Sequence, residues 1–241
     1  MPSFTAQCLP VTDATTTKPA NILARVSDFQ AYIAPMAIFM GFTLIGDIWK
    51  SLYPWSYLLK TVMVPAALWF LWRRYTPVRW NYWWLGIVVG VIGMFQWVGM
   101  QLYLQQFEFF APQPDAFDPF AHFQGQDEMR WTFIGVRAAG AVLVVPLMEE
   151  LFWRDFLWRW IVSPDFKRVS VGSWAWKPFL GVSLAFSLVH GNGWLTSIVW
   201  ALMIAILLIK TRSLGACIIA HATTNLLLAV YVVSSRQWSF W

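Results

Sequence analysis

The sequence predicts an all-α, polytopic transmembrane bundle of about seven to eight helices, with its polar functional groups inside the membrane. Three observations carry this. Of the 241 residues, 59% are hydrophobic and only 12% are charged, half the charge of an average soluble domain, about 25%. The mean hydropathy is +0.54. Trp occurs 18 times, as suits the aromatic belts at membrane interfaces. The net charge of +5 therefore reads as loop charge facing one side of a bilayer, not as a nucleic-acid surface.

Apolar stretches of about 20 residues span a bilayer as helices. They fall at about 29–48, 55–72 and 82–104, then 131–163, and finally 177–192, 194–209 and 214–234. Three regions follow: a solvated, mobile tail at 1–28; N-terminal helices and an acidic loop at 29–130; and a core at 131–235. The run 131–163 would be about 50 Å long as one helix. It must tilt, kink at Pro146 or divide into two. Seven crossings result if it is single, and eight segments if it breaks. Residues 105–130 form the long polar connection, with Glu108, Asp115, Asp118, Asp127 and Glu128. No signal-peptide apolar region occurs in 1–28. Cys8 and Cys217 have no motif spacing, and Cys217 is expected to pack in its span.

Loop charges orient the chain. With the N-terminus inside, the inside segments hold Lys18, Arg25, Arg73, Arg74, Arg79, Lys167, Arg168, Lys177, Lys210 and Arg212. The outside segments hold only Lys50, Arg130 and Arg236. Positive charge collects on the cytoplasmic side, so the expectation is an integral membrane protein with a cytoplasmic N-terminus.

Ionisable residues within spans mark function by default. Glu149 and Glu150 lie inside 131–163, and Arg154 follows Glu150 by four residues, placing that pair on one helix face. His190 and His221 lie in the later spans, and Asn225 shares a helix face with His221. Counted from the basic ends, Glu149, His190 and His221 lie roughly 21, 20 and 11 Å in, so the groups have depths at which they can meet. Asp155 and Arg159 read as interfacial, and Arg137 as a pairing or snorkelling cation.

A carboxylate buried among apolar groups can serve as a base near neutral pH. Such a base can deprotonate water for attack on an amide carbonyl, with His and Asn side chains donating to the oxyanion. Glu149, His190 and His221 also form a workable metal set with an open water position. The residues alone leave both schemes open. No Ser–His–Asp arrangement, Walker A or G-x-G-x-x-G sequence occurs, and "HGNGW" reads as a turn.

Three motifs stand in order: "EELFWR" at Glu149–Arg154, "FSLVH" at Phe186–His190 and "HATTN" at His221–Asn225. Together they resemble the CPBP family, which contains CAAX prenyl endopeptidases and bacteriocin-processing or immunity-type membrane proteases. The resemblance covers roughly 131–235. The stretches "EELFWRDFLWRWI" and "TRSLGACIIAHATTNLLL" are similar to the exosortase-associated bacterial subgroup. The resemblance implies an intramembrane active site. In it Glu149 activates water, Glu150 assists or holds geometry with Arg154, His190 orients the water or stabilises the intermediate, and His221 with Asn225 forms the oxyanion site. It implies a bacterial inner-membrane setting, a peptide or membrane-associated protein substrate, a metal-independent reaction with a metal role left open, and a link to a protein-sorting system. A non-catalytic scaffold or immunity-type protein of the same fold is the competing class, and a proton-relay transporter a third, without visible repeat symmetry.

Overall fold

The computed structural model describes residues 26–111 and 116–241. The expectations for the tail, for Cys8 and for Asp115 lie outside these residues. Among the described residues every regular element is helical. Helix α1 is Asp28–Ile48, α2 is Tyr53–Phe70 and α3 is Trp83–Leu104. The long segment α4 runs Asp127–Val162, followed by α5 (Trp176–Leu188), α6 (Trp194–Thr211) and α7 (Leu214–Ser235).

Among the described residues, five helical segments are long and apolar enough to cross a membrane: α1, α3, α4, Gly191–Thr211 and α7. The chain is on this ground an integral membrane protein. Helices α2 and α5, also expected as spans, are not among the five. Lys60, Ser56 and Thr61 dilute α2, and α5 is only 13 residues long. The end of α5 differs from the expectation of a helix to 192 because of its sequence. Gly191 takes φ +52, and Gly191–Gly193 forms a 3₁₀ turn instead, leaving His190 just beyond the helix.

The 131–163 run does not divide. It is one helical segment with two π-helical stretches, Gly140–Val144 and Leu151–Leu157. Pro146 accounts for the first. A proline has no N–H for the carbonyl four residues back and its ring crowds that carbonyl. The Val145 N–H bonds to Gly140 O, five residues back. Ala141 O thus loses the donor at Val145, and Pro146, the next position, has none to offer.

Helices α3 and α7 touch along a glycine stripe. A Cβ on Gly86 would sit 2.5 Å from Ala216 O, and one on Gly90 2.5 Å from Ala220 O. Small residues let membrane helices approach backbone to backbone, and here they press the His221 helix against α3. Thr224 Oγ1 completes the contact by donating within reach of Gly90 O (3.0 Å).

The predicted alternation of basic and acidic connections has a structural counterpart. Lys167 pairs with Asp28 (2.8 Å) and donates to Arg74 O (2.9 Å), and Gly215 N donates to Arg79 O (2.9 Å). These bonds gather the start of α1 and the α2–α3, α4–α5 and α6–α7 connections at one basic end. At the other end, Asn192 Nδ2 donates to Ala111 O (3.3 Å) and Arg236 lies over Phe120 (3.4 Å).

Candidate active site

Glu149, His190, His221 and Asn225 come from three separate helical regions and line one cavity of about 300 Å³. Its walls are largely apolar: Met36 and Phe39 from α1, Trp97 from α3, Trp153 from α4 and Trp200 from α6. A second cavity toward the acidic end shares Trp97, His190, Phe240 and Trp241 with it, so the site has a route outward.

Glu150 does not line this cavity. Its side chain is wholly buried, and its Oε1 takes two partners: Arg154 Nη1 at 3.1 Å and His221 Nδ1 at 2.9 Å. The i,i+4 pair legible in the sequence is therefore also the anchor of the second histidine. A carboxylate ionised beside a guanidinium accepts hydrogen bonds only. His221 must then carry its proton on Nδ1, which leaves Nε2 as the atom with a free lone pair.

His190 is set the same way by a different group. Its Nδ1 lies 2.7 Å from Phe186 O, a carbonyl at the end of α5 that has no further helical donor. A carbonyl only accepts, so Nδ1 again bears the proton and Nε2 the lone pair. F-x-x-x-H at this site is a helix-ending device as well as a motif.

Glu149 is the uncommitted carboxyl. Among the described residues it makes no hydrogen bond to protein, and its Oε2 is fully buried. It faces the cavity one position from the paired Glu150. Asn225 Nδ2 donates to Ala141 O at 2.7 Å, the carbonyl that the π-helical step and Pro146 strip of backbone donors. One amide hydrogen is used there; the NH₂ group has a second.

Aromatic residues, Phe186 of the FSLVH motif among them, hold the assembly. Phe186 stacks on Trp200 at 5.3 Å, and the His190 ring lies 4.4 Å from Phe186. Trp200 contacts the His221 ring at 4.7 Å, and its Nε1 donates to Thr224 (3.3 Å). The Arg154 guanidinium sits 4.7 Å from the Phe186 ring centre, a cation–π contact added to its ion pair.

Both histidines have the Nδ1-anchored form common among metal ligands. Among the described residues no group of three His, Cys, Asp or Glu side chains lies close enough to bind one ion directly.

Two expectations are corrected. Asp155 and Arg159 are not interfacial bystanders: they are buried at 0% and 2% exposure. They pair at 2.5 Å, with Tyr32 donating to Asp155 Oδ2 (2.5 Å) and Arg159 Nη2 to Thr76 (2.7 Å). One further turn on α4 carries them under α1 and the α2–α3 connection, which bring the polar partners. Arg137 neither pairs with a carboxylate among the described residues nor snorkels. It is buried, with Tyr57 and Trp241 ring centres 5.4 and 4.8 Å from its guanidinium carbon. Cys217 is buried in α7, as expected.

A family model described as type II CAAX prenyl endopeptidase Rce1-like matches residues 131–227, less than half of the chain. The match begins within α4 and contains every side chain of the three motifs. No curated protein and no solved structure gave a match.

Proposed function

We propose that this chain is an intramembrane endopeptidase in which Glu149 activates water. The observation that carries the reading is the division of labour around one cavity: Glu149 is uncommitted while Glu150, Arg154, His190 and His221 are each fixed by a partner. In the proposed reaction Glu149 takes a proton from a water molecule held near the Nε2 lone pairs of His190 and His221. The hydroxide adds to the peptide carbonyl, forming the new C–O bond. The second amide hydrogen of Asn225 donates to the oxyanion. Collapse breaks the C–N bond, and the proton held by Glu149 passes to the leaving amine. One water is consumed, and an acid and an amine are released. The apolar walls and the site's depth suit a peptide or membrane-associated segment.

The family match over 131–227 supports the protease class. The seven-crossing arrangement with a cytoplasmic N-terminus in a bacterial inner membrane, and the three-region division, belong to this reading. So does a role in processing sorted surface proteins, which rests on the two subgroup-like stretches alone.

The test is cleavage of a peptide library by the purified full chain in H₂¹⁸O, read by mass spectrometry. Cleavage with one ¹⁸O in each new carboxyl, lost in Glu149→Gln, His190→Ala and His221→Ala, is the expected result. Wild-type rates in all three variants would remove the site. A folded wild type that cleaves nothing but retains a partner would favour the scaffold class.

A further inference from the structure

At the basic end, away from the candidate active site, lies a second cavity of about 390 Å³ lined by Arg79, Arg159, Lys167, Arg212 and a single carboxylate, Asp155. Its walls come from α4 and three connections: Thr76–Arg79, the 163–175 loop and the α6–α7 turn. We propose that this cavity binds a phosphate-bearing anionic group, and that a phospholipid headgroup supplies it.

Charge accounting carries the first half. Asp155 is already engaged by Arg159 and Tyr32. Arg159 also donates to Thr76, Val169 O and Asp155 O. Lys167 is answered by Asp28. Arg79 and Arg212 have no carboxylate partner among the described residues. Two guanidinium charges are therefore left facing one cavity, and guanidinium is the side chain whose planar fork matches phosphate oxygens.

Their mounting is rigid. Arg79 O accepts from Gly215 N (2.9 Å), and Ser213 Oγ lies 2.9 Å from the same carbonyl. Close packing fixes this junction, because a Cβ on Gly215 would fall 2.5 Å from Arg79 O. Arg212 holds the left-handed turn that ends α6, at φ 51. Its N–H donates to Leu208 O at 2.7 Å. The backbones are fixed, and both side chains are exposed.

Position favours the lipid as the source. Trp72, Trp80, Trp83 and Trp84 on one side and Trp174 and Trp176 on another are each at least half exposed. They flank the same connections. Exposed Trp at the ends of apolar helices marks the headgroup level, and basic pockets between membrane helices at that level bind anionic headgroups.

The test uses the full chain, delipidated in neutral detergent and titrated with phosphatidylglycerol, phosphatidylcholine or inorganic phosphate. Retained lipid is read by native mass spectrometry and stability by thermal unfolding. Wild type should retain phosphatidylglycerol over phosphatidylcholine. Arg79→Gln with Arg212→Gln should lower that preference by about thirtyfold, roughly fivefold for each arginine. Should this variant fail to fold, Arg79→Lys with Arg212→Lys keeps the charge, and its retention should fall between the two. Stabilisation of wild type by inorganic phosphate with no lipid preference would overturn the lipid as the source. Equal lipid retention by wild type and both variants, without a phosphate response, would overturn the site. Neither readout depends on peptide cleavage.

Discussion

Glu150–Arg154 and Asp155–Arg159 are both carboxylate–guanidinium pairs spaced by four residues on α4, and both are almost wholly buried. Their surroundings differ. Glu150 reaches across to α7 and fixes His221 beside the cavity that Glu149 lines. Asp155 reaches Tyr32 on α1, and Arg159 reaches Thr76 and Val169 O in the connections at the basic end. One pair orients a reactive ring; the other laces helices to loops. A buried pair alone thus says little about role. The third group on each side decides, a histidine facing a cavity in one case and a phenol packed in the core in the other.

The largest effect should come from the carboxylate that belongs to neither pair. Glu149→Gln keeps shape and removes the base, so peptide cleavage should fall by about 10²- to 10⁴-fold with thermal stability unchanged. A variant that cleaves normally would shift the catalytic role away from this side of the comparison.

Breaking each pair comes next. Removing one partner of a buried pair costs about 3–5 kcal/mol, because the other charge is left unanswered. Glu150→Gln and Asp155→Asn should both lower the unfolding midpoint measurably in detergent. Cleavage per folded molecule should drop only in Glu150→Gln, where an amide that can turn either its oxygen or its NH₂ toward Nδ1 no longer fixes the His221 tautomer. Loss of specific activity in both would erase the distinction. Tyr32→Phe sharpens the same point more gently. It deletes the hydrogen bond to Asp155, worth about 1.5–3 kcal/mol, together with the contacts of the same hydroxyl to Thr76, and should leave specific activity intact.

How much of this was legible before the fold is uneven in an instructive way. The helices, the i,i+4 geometry of Glu150–Arg154 and the shared face of His221 and Asn225 follow from local spacing. Local spacing could not reveal that Glu150 meets His221, 71 residues away, or that Asp155 meets Tyr32, 123 residues away. Asp155 sits where an apolar run nears its end, so periodicity alone reads it as solvated. Asn225 illustrates a subtler limit. Its bond to Ala141 O exists because Pro146 and a π-helical step free that carbonyl, and no pattern of residue types encodes a change in helical winding. Trp200 was equally hard to single out, since aromatic residues are common throughout this chain.

The smallest expected effect is the most discriminating. Replacing a whole buried ion pair by well-packed apolar residues is often neutral or stabilising, whereas removing half of it is costly. Asp155→Leu with Arg159→Met should accordingly recover most of the stability lost in Asp155→Asn, to within about 1–2 kcal/mol of wild type. Tyr32 still has Thr76 as a partner at 3.1 Å, and Val169 O borders an open cavity where water can replace Arg159. Cleavage should be unchanged. The matching double change, Glu150→Leu with Arg154→Met, should also fold but should not cleave, because His221 Nδ1 would then face a methyl group. Thermal unfolding and specific activity, measured on the four proteins together, separate a pair kept for packing from a pair kept for chemistry. Loss of activity in the Asp155 double variant would show that the lacing at the basic end controls the site as well.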